Sequence, residues 1–243
     1  MMDHWLKAAF RLKNYRTRVP SVPQLWPHLC RFIGQHGSSA IFGLDFPFSL
    51  PRALLGENGW PTFVRSFANT YPDCESFRTL CHQKVSGCEL KRRTDRETHT
   101  PFSVYNLRLY RQTYFGIRDV VAPLLGSGSA WFAPMERRVP AKPCVVEICP
   151  ASTLKHLGLY RHWHYKGRSS EHCAARRAIL CALEETRRIR FEDHDTREMM
   201  LSDVGGDALD SLVAALAIYG LHETPEILET DESDYLAEGR VYV

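Results

Sequence analysis

Apolar residues along the chain recur either at helical spacing or in short unbroken runs. Helical spacing predicts helices over Leu25–Gln35, Asn106–Leu125 and Ala174–Arg188. Two short apolar runs, Ile41–Phe46 and Cys144–Cys149, are each followed by proline and are typical of strands covered on both faces. Helices that alternate with such strands predict an α/β protein.

The stretch Gly205–Ala217 is apolar after its first residues and predicts a buried helix. Asp207 and Asp210 lie three positions apart, so their side chains are neighbours on a helix. Buried helices rarely carry carboxylates unless these are paired, cap the helix or bind a metal. The alternative to a site is that Asp207 caps the helix and Asp210 offsets its dipole.

Each predicted strand carries one acid near its C-terminal end, Asp45 in the first and Glu147 in the second. Sites in open α/β sheets cluster outside the carboxyl ends of strands, although Asp45 is also suited to a turn before Pro47. Clustered carboxylates repel one another unless a cation lies between them, and Mg²⁺ and Mn²⁺ prefer oxygen ligands. The pattern therefore favours hydrolysis of phosphodiester bonds assisted by divalent ions.

Composition narrows the class of protein without deciding its function. The 243 residues carry a net charge of +3, which is too small by itself to indicate a nucleic-acid partner. No apolar run is long enough to span a bilayer and no signal peptide is evident, so the cytoplasm is the expected compartment. The eight cysteines form no CxxC pair and favour reduced thiols over zinc. Nucleotide-binding glycine motifs and the GxSxG motif of serine hydrolases are absent.

Basic residues concentrate in a polar stretch, 89–101, which is typical of a solvated or mobile loop, and on one face of the helix predicted after it. Arginine next to tyrosine is suited to holding phosphates and stacking bases, although a tyrosine stripe is also typical of a core. His162 and His164 lack a third nearby ligand and are weak metal candidates. The residues predicted to contact nucleic acid are Arg92, Arg93, Arg96, Arg108, Arg111 and Lys166.

Five segments together resemble one known family. They are IFGLDFPFSLPR, ELKRRTDRETHTPFSVYNLRLYRQTYFGIRDVVAPLL, VVEICPASTLK, GGDALDSLVAALAIY and EGRVYV. They resemble domain-of-unknown-function family 429, whose members are described as predicted nucleases with an RNase H-like fold. The resemblance runs from about residue 25 to the C-terminus.

This resemblance implies one RNase H-like domain over residues 1–243, with a mixed sheet flanked by helices and a helical insertion over 52–143. It also implies that Asp45, Asp207 and Asp210 bind Mg²⁺ or Mn²⁺, with Glu147 as a further ligand or a base. The function so predicted is metal-dependent cleavage of nucleic acid. The alternatives are a protein of the same fold that binds nucleic acid or a nucleotide without cutting it, and a structural protein whose acids only cap and pair.

Members of the family open with a Gly-x-Asp strand whose aspartate is a principal metal ligand. We expect a strand of this kind to be missing ahead of the run that contains Gly43, Leu44 and Asp45. Asp3 does not replace it, because no apolar strand surrounds Asp3. We expect that the start codon was placed downstream of the true one, the alternative being a degenerate protein. At the chain ends, residues 5–18 favour a strand, and Glu238–Val243 is typical of a terminal edge strand.

Overall fold

A small parallel sheet lies at the centre of the part of the chain that the computed structural model describes, residues 22–56, 59–162, 164–186 and 189–243. Its strands are β1 (Ile41–Leu44), β2 (Trp131–Phe132), β3 (Cys144–Ile148) and β4 (Val241–Tyr242). Strand β3 is central, with β1 along one side and both β2 and β4 along the other. Residues 5–18 and Asp3 lie outside the described residues.

All the pairings between described strands are parallel, so the antiparallel strands that a mixed sheet requires are not found among them. The reason lies in the connections, because helices follow both β1 and β3 and return the chain to the same end of the sheet. The α/β class is confirmed. The edge strand predicted over Glu238–Val243 is found as the shorter β4, and among the described strands β4 pairs only with β3.

Helices surround this sheet on both faces. The described α-helices are α1 (Val22–Gly34), α2 (Arg52–Leu55), α3 (Gly59–Thr70), α4 (Cys74–Lys84), α5 (Arg93–Glu97), α6 (Tyr110–Gly116), α7 (Ala122–Ser127), α8 (Pro150–His156), α9 (Ser170–Glu185), α10 (His194–Ser202), α11 (Asp207–Glu223) and α12 (Ser233–Glu238). A π-helical turn, Ile117–Val121, joins α6 to α7, and single 3₁₀ turns occupy Tyr160–His162 and Pro225–Leu228.

The strongest sequence patterns predicted helices that the structure contains. The helix predicted over Leu25–Gln35 is α1, and the helix predicted over Asn106–Leu125 begins later, at Tyr110. The apolar stripe predicted for this helix is buried from Tyr110 onward. Leu107, which was expected to begin that stripe, precedes the helix and is exposed. Residues 52–143, predicted as a helical insertion, contain α2 to α7 and also strand β2.

Alternation along the strands separates two cores. Cys144, Val146 and Ile148 of β3 face α11, where Ala214 and Ala217 allow close packing. Residues 42, 44 and 145 face the other way, toward the helices of residues 59–127. Neighbouring positions of one strand therefore face different cores. An acid at an even position of β1 or at an odd position of β3 faces the helices of residues 59–127, and an acid one residue away faces α11.

No single described helix is long and apolar enough to cross a membrane. Helices α10 and α11 meet those criteria only when taken together, and they are bent by 117° at the break between them.

Candidate active site at the carboxyl edge of the sheet

Asp45 follows the last residue of β1 and lies at the carboxyl edge of the sheet. Its backbone is held from the side of α6, since Gln112 Nε2 donates a hydrogen bond to the Asp45 carbonyl. The next residue, Phe46, lies against Gly116 so closely that a Cβ there would overlap the ring. These contacts hold the backbone that directly follows the Asp45 side chain.

Helix α11 begins at the same edge and brings Asp207 and Asp210 in its first turn. The N-cap position of this helix is Gly206, and Asp207 is its first residue. The Ala208 amide donates a hydrogen bond at 2.8 Å to Asp203 Oδ2, so the acid that satisfies this end of the helix is Asp203. The alternative that Asp207 caps this helix is therefore wrong.

Two neighbouring residues hold Asp210. Lys166 Nζ lies 2.6 Å from Asp210 Oδ2, and the Tyr165 hydroxyl donates to Oδ1. Both residues pack on Gly206, where φ is +77° and a Cβ would lie 2.9 Å from Tyr165 Cε2. A glycine is required there by both the backbone conformation and the close approach.

The acids of β1 and α11 interact electrostatically. The pKa of Asp45 is raised to about 7, first because surrounding protein displaces water from the carboxyl and then because Asp210 adds negative potential. Glu147 and Asp207 raise the same pKa, while Lys166 lowers it. Asp45 is nevertheless exposed, so its carboxylate lies in a recess that solvent reaches.

Lys166 is the positive charge of this recess. Burial by itself would lower the pKa of its ammonium, but Asp210 and Asp45 raise it, so the ammonium stays charged. The Tyr165 hydroxyl has a raised pKa, chiefly through burial and then through Asp210, and it acts as a hydrogen-bond donor. The sequence marked Lys166 only as a phosphate contact and did not predict that it pairs with Asp210.

Cys149 also lies at this edge and was not singled out by the sequence. Burial raises the pKa of its thiol, and Asp45 adds to the increase while Ser152 opposes it. A thiol with a raised pKa stays protonated near neutral pH, so Cys149 is not activated as a nucleophile.

Glu147 does not join these acids, because it faces the opposite side of the sheet. Its carboxylate receives both terminal nitrogens of Arg92, at 2.5 Å and 2.8 Å, and the Phe48 amide at 3.0 Å. Burial raises the pKa of Glu147, and Arg92 opposes that increase. The expected role of Glu147 as a metal ligand or base is therefore replaced by a structural one.

Arg92 was expected to contact phosphate, but it is buried beside Glu147 and Asp95. Burial alone would lower the pKa of its guanidinium, yet Asp95 and Glu147 raise it well above its usual range. Arg92 also donates to the Glu238 carbonyl at 3.1 Å. The charged stretch 89–101 is therefore not a solvated loop around Arg92, and it contains helix α5. The sequence did not predict this, because a charge pattern without periodicity does not reveal a buried ion pair.

Arg93 and Arg111 also have acidic partners. Arg93 pairs with Glu97 at 2.8 Å and with Glu232, and Arg111 pairs with Glu75 at 2.9 Å. These partners already satisfy the charges that the sequence assigned to nucleic acid.

Arg96 and Arg108 have neutral partners. Arg96 donates to the Lys91 carbonyl at 2.6 Å, and the Arg108 guanidinium lies over the Phe102 ring, 5.3 Å from its centroid. Neither residue lies in the contacts that build the recess around Asp45.

The donor groups of the recess fit a divalent ion only in part. Among the described residues, none donates a hydrogen bond to the carboxylate of Asp45 or Asp207, so these oxygens are open. Asp210 is occupied by Tyr165 and Lys166. Within the described ranges, no three His, Cys, Asp or Glu side chains are placed closely enough to hold a metal ion, His162 and His164 included.

No family model matches this chain, and neither a curated protein nor a solved structure matches it. The resemblance to family 429 therefore stays a prediction that depends on the five quoted segments.

Proposed function

We propose that the protein is a nuclease that hydrolyses phosphodiester bonds at the recess formed by Asp45, Asp207 and Asp210. The observation that carries this proposal is that α11, whose first turn contains Asp207 and Asp210, packs on β1, which Asp45 directly follows. Acids distant in the chain are thereby brought to one edge of the sheet, where they interact electrostatically. Parallel α/β sheets place their sites at this edge. A lysine among the acids supplies the opposite charge that a phosphate requires.

Each residue of the recess has a separate role in the proposed reaction. Lys166 binds a non-bridging oxygen of the substrate phosphate, which draws its ammonium away from Asp210. Tyr165 keeps Asp210 oriented while this happens, because its hydroxyl bonds the other carboxylate oxygen. Asp45 and Asp207 offer oxygens to Mg²⁺ or Mn²⁺, which supplies Lewis acidity and an activated water when bound.

An RNase H-like fold is part of this proposal. It is supported by the adjacent parallel strands β1 and β3 and by a C-terminal helix, α11, that packs on β1 and begins with two acids.

The direct test is cleavage of labelled single-stranded, duplex and RNA–DNA hybrid substrates with Mn²⁺. We expect Asp45→Asn and Asp207→Asn each to lower the rate on the order of a hundredfold. Asp231→Asn is the matched control, because it makes the same chemical change at an exposed acid outside the recess. Cleavage that survives both recess substitutions would count against this site.

A second candidate is a protein that binds nucleic acid or a nucleotide without cutting it. It is favoured by the ion pair between Lys166 and Asp210, which neutralises one of the acids expected to hold a cation. The same assay separates the two functions. Binding by the wild type without cleavage of any substrate would select this second candidate.

A further inference from the structure

A stretch of chain beside the recess is basic and lacks acids. Residues 155–168 contain seven Lys, Arg or His and neither Asp nor Glu. We call its described residues, all but 163, the cationic segment. It includes the end of α8, the 3₁₀ turn Tyr160–His162 and the loop that leads to α9.

Two charges of this segment differ from Arg93 and Arg111, which are among the arginines that the sequence assigned to nucleic acid. Arg161 and Arg168 are exposed, and within the described ranges neither forms an ion pair with an acid, whereas Arg93 and Arg111 are paired with acids. Arg96 and Arg108 also have neutral partners, but they lie outside the contacts that build the recess. When a polyanion binds, an unpaired cation attracts it without first giving up an existing ion pair.

The segment lies beside the recess. Lys166, near its C-terminal end, pairs with Asp210. At its N-terminal end the segment begins in α8, which follows β3 and packs against α11, the helix that carries Asp207 and Asp210.

The loop part of the cationic segment is held by hydrogen bonds from a buried arginine. Arg176 of α9 donates to the Tyr165 carbonyl at 2.5 Å, to the Gly167 carbonyl at 3.0 Å and to the Leu201 carbonyl at 2.8 Å. These bonds fix the backbone on both sides of Lys166. Lys166 and Arg168 are thus presented from an ordered loop.

The segment also generates positive potential. The pKa of His162 is lowered, first by burial and then by the charges of Arg161 and His164. Its apolar residues face inward, since Leu157, Leu159 and Tyr160 pack against the core between α9 and α11. A surface with exposed cations and inward apolar groups suits a phosphate backbone better than a bilayer, which requires an exposed apolar face.

We propose that the cationic segment binds the phosphate backbone of a nucleic-acid strand and leads that strand to Lys166. This inference names the substrate surface of the proposed nuclease, and it depends on that function only for what happens to the strand at the recess. The binding itself requires neither Asp45 nor cleavage.

The test is fluorescence anisotropy with a labelled single-stranded oligonucleotide at several salt concentrations. The variant Arg161→Ala/Arg168→Ala removes two exposed cations. We expect roughly tenfold weaker binding near 0.1 M salt, and a salt slope smaller by about 1.4, because each single-strand phosphate contact contributes about 0.7. Thermal unfolding at the wild-type temperature shows that the variant is folded.

The matched control is Arg52→Ala/Arg197→Ala, which removes the same net charge from arginines that pair with Asp234 and Glu184. We expect its salt slope to equal that of the wild type. An equal loss in both variants would mean that net charge alone is sensed, and the proposal would fall. It would also fall if anionic phosphatidylserine vesicles, and not the oligonucleotide, bound with the same dependence on Arg161 and Arg168.

Failure of this surface and failure of the nuclease proposal give different results. If the wild type binds through Arg161 and Arg168 but cleaves nothing, the surface stands and the nuclease proposal fails. If cleavage depends on Asp45 while the Arg161/Arg168 variant binds and cleaves as the wild type does, the surface is wrong and the nuclease stands.

Discussion

Glu147 lies near the end of β3, and Asp45 directly follows β1, the parallel strand beside it. Each is the single acid of an apolar run, yet their surroundings are opposite. Glu147 is buried and receives three hydrogen bonds from Arg92 and the Phe48 amide. Asp45 is exposed, and Lys166 lowers the pKa of its carboxyl without forming an ion pair with it. The first acid is part of the structure, while the second is left available for chemistry.

The difference comes from which face of the sheet each side chain occupies. Glu147 has the parity of Val145 and points toward the helices of residues 59–127, where Arg92 and Asp95 lie. Asp45 has the parity of Ile41, on the face covered by α11. A buried charge without a partner is costly, so the closed face had to supply a partner, whereas the open edge did not.

The largest effect should come from breaking the closed network. Arg92→Ala leaves Glu147 and Asp95 buried without their partner, and we expect a loss of about 3–5 kcal/mol in the free energy of unfolding. Urea denaturation measures this loss. Lys166→Met is the comparison at the open edge, and we expect it to cost less than about 1 kcal/mol because Lys166 is exposed. Similar losses in the two variants would remove the distinction between the regions.

An intermediate effect should follow from moving the backbone that holds Asp45. Gly116→Ala places a methyl group into the Phe46 ring, and we expect overpacking to cost about 1–3 kcal/mol. Since Phe46 adjoins Asp45, cleavage by the proposed nuclease should fall as well. Gly126→Ala is the control, because a Cβ there meets nothing within 4 Å and should stabilise the helix by up to about 1 kcal/mol. Thermal unfolding compares them, and a stabilised Gly116→Ala variant would contradict the close packing.

Much of this frame could be predicted from sequence because it depends on local periodicity. The apolar runs that contain Asp45 and Glu147 form β1 and β3. The apolar stretch after Asp210 is a helix that packs its alanines on the sheet. Strand β2 has only two residues, which is too short for a pattern to mark it.

The separation of Glu147 from the other acids could not be predicted, because it depends on register and on which helices cover which face. Leu44 pairs with Glu147, so the two acids differ by one position and face opposite sides. The burial of Arg92 was hidden for a related reason. Its partner Glu147 lies 55 residues away, and nothing in the charged stretch around Arg92 distinguishes it from surface arginines.

The last probe of the open edge is the pH dependence that Asp45 contributes. We expect the smallest effect here, because solvent that reaches this exposed carboxyl screens the interactions that raise its pKa. Its pKa is about 7 in the folded protein and about 3.9 in the unfolded chain, so the folded state holds the extra proton between these values. The free energy of unfolding therefore falls as pH rises from about 4 to about 7, and the loss is complete above about 7.

Asp45→Asn removes this loss. We expect its melting temperature to exceed that of the wild type above pH 7, and the difference to shrink toward zero as pH falls to about 4. Asp231→Asn should show no such trend. Titration of Mg²⁺ at pH 8 extends the test, because an ion bound at Asp45 offsets the repulsion from Asp210 and should narrow the gap by stabilising the wild type alone. A pH-independent difference would mean that the carboxylate of Asp45 is an ordinary surface acid, and the contrast with Glu147 would then be one of burial only.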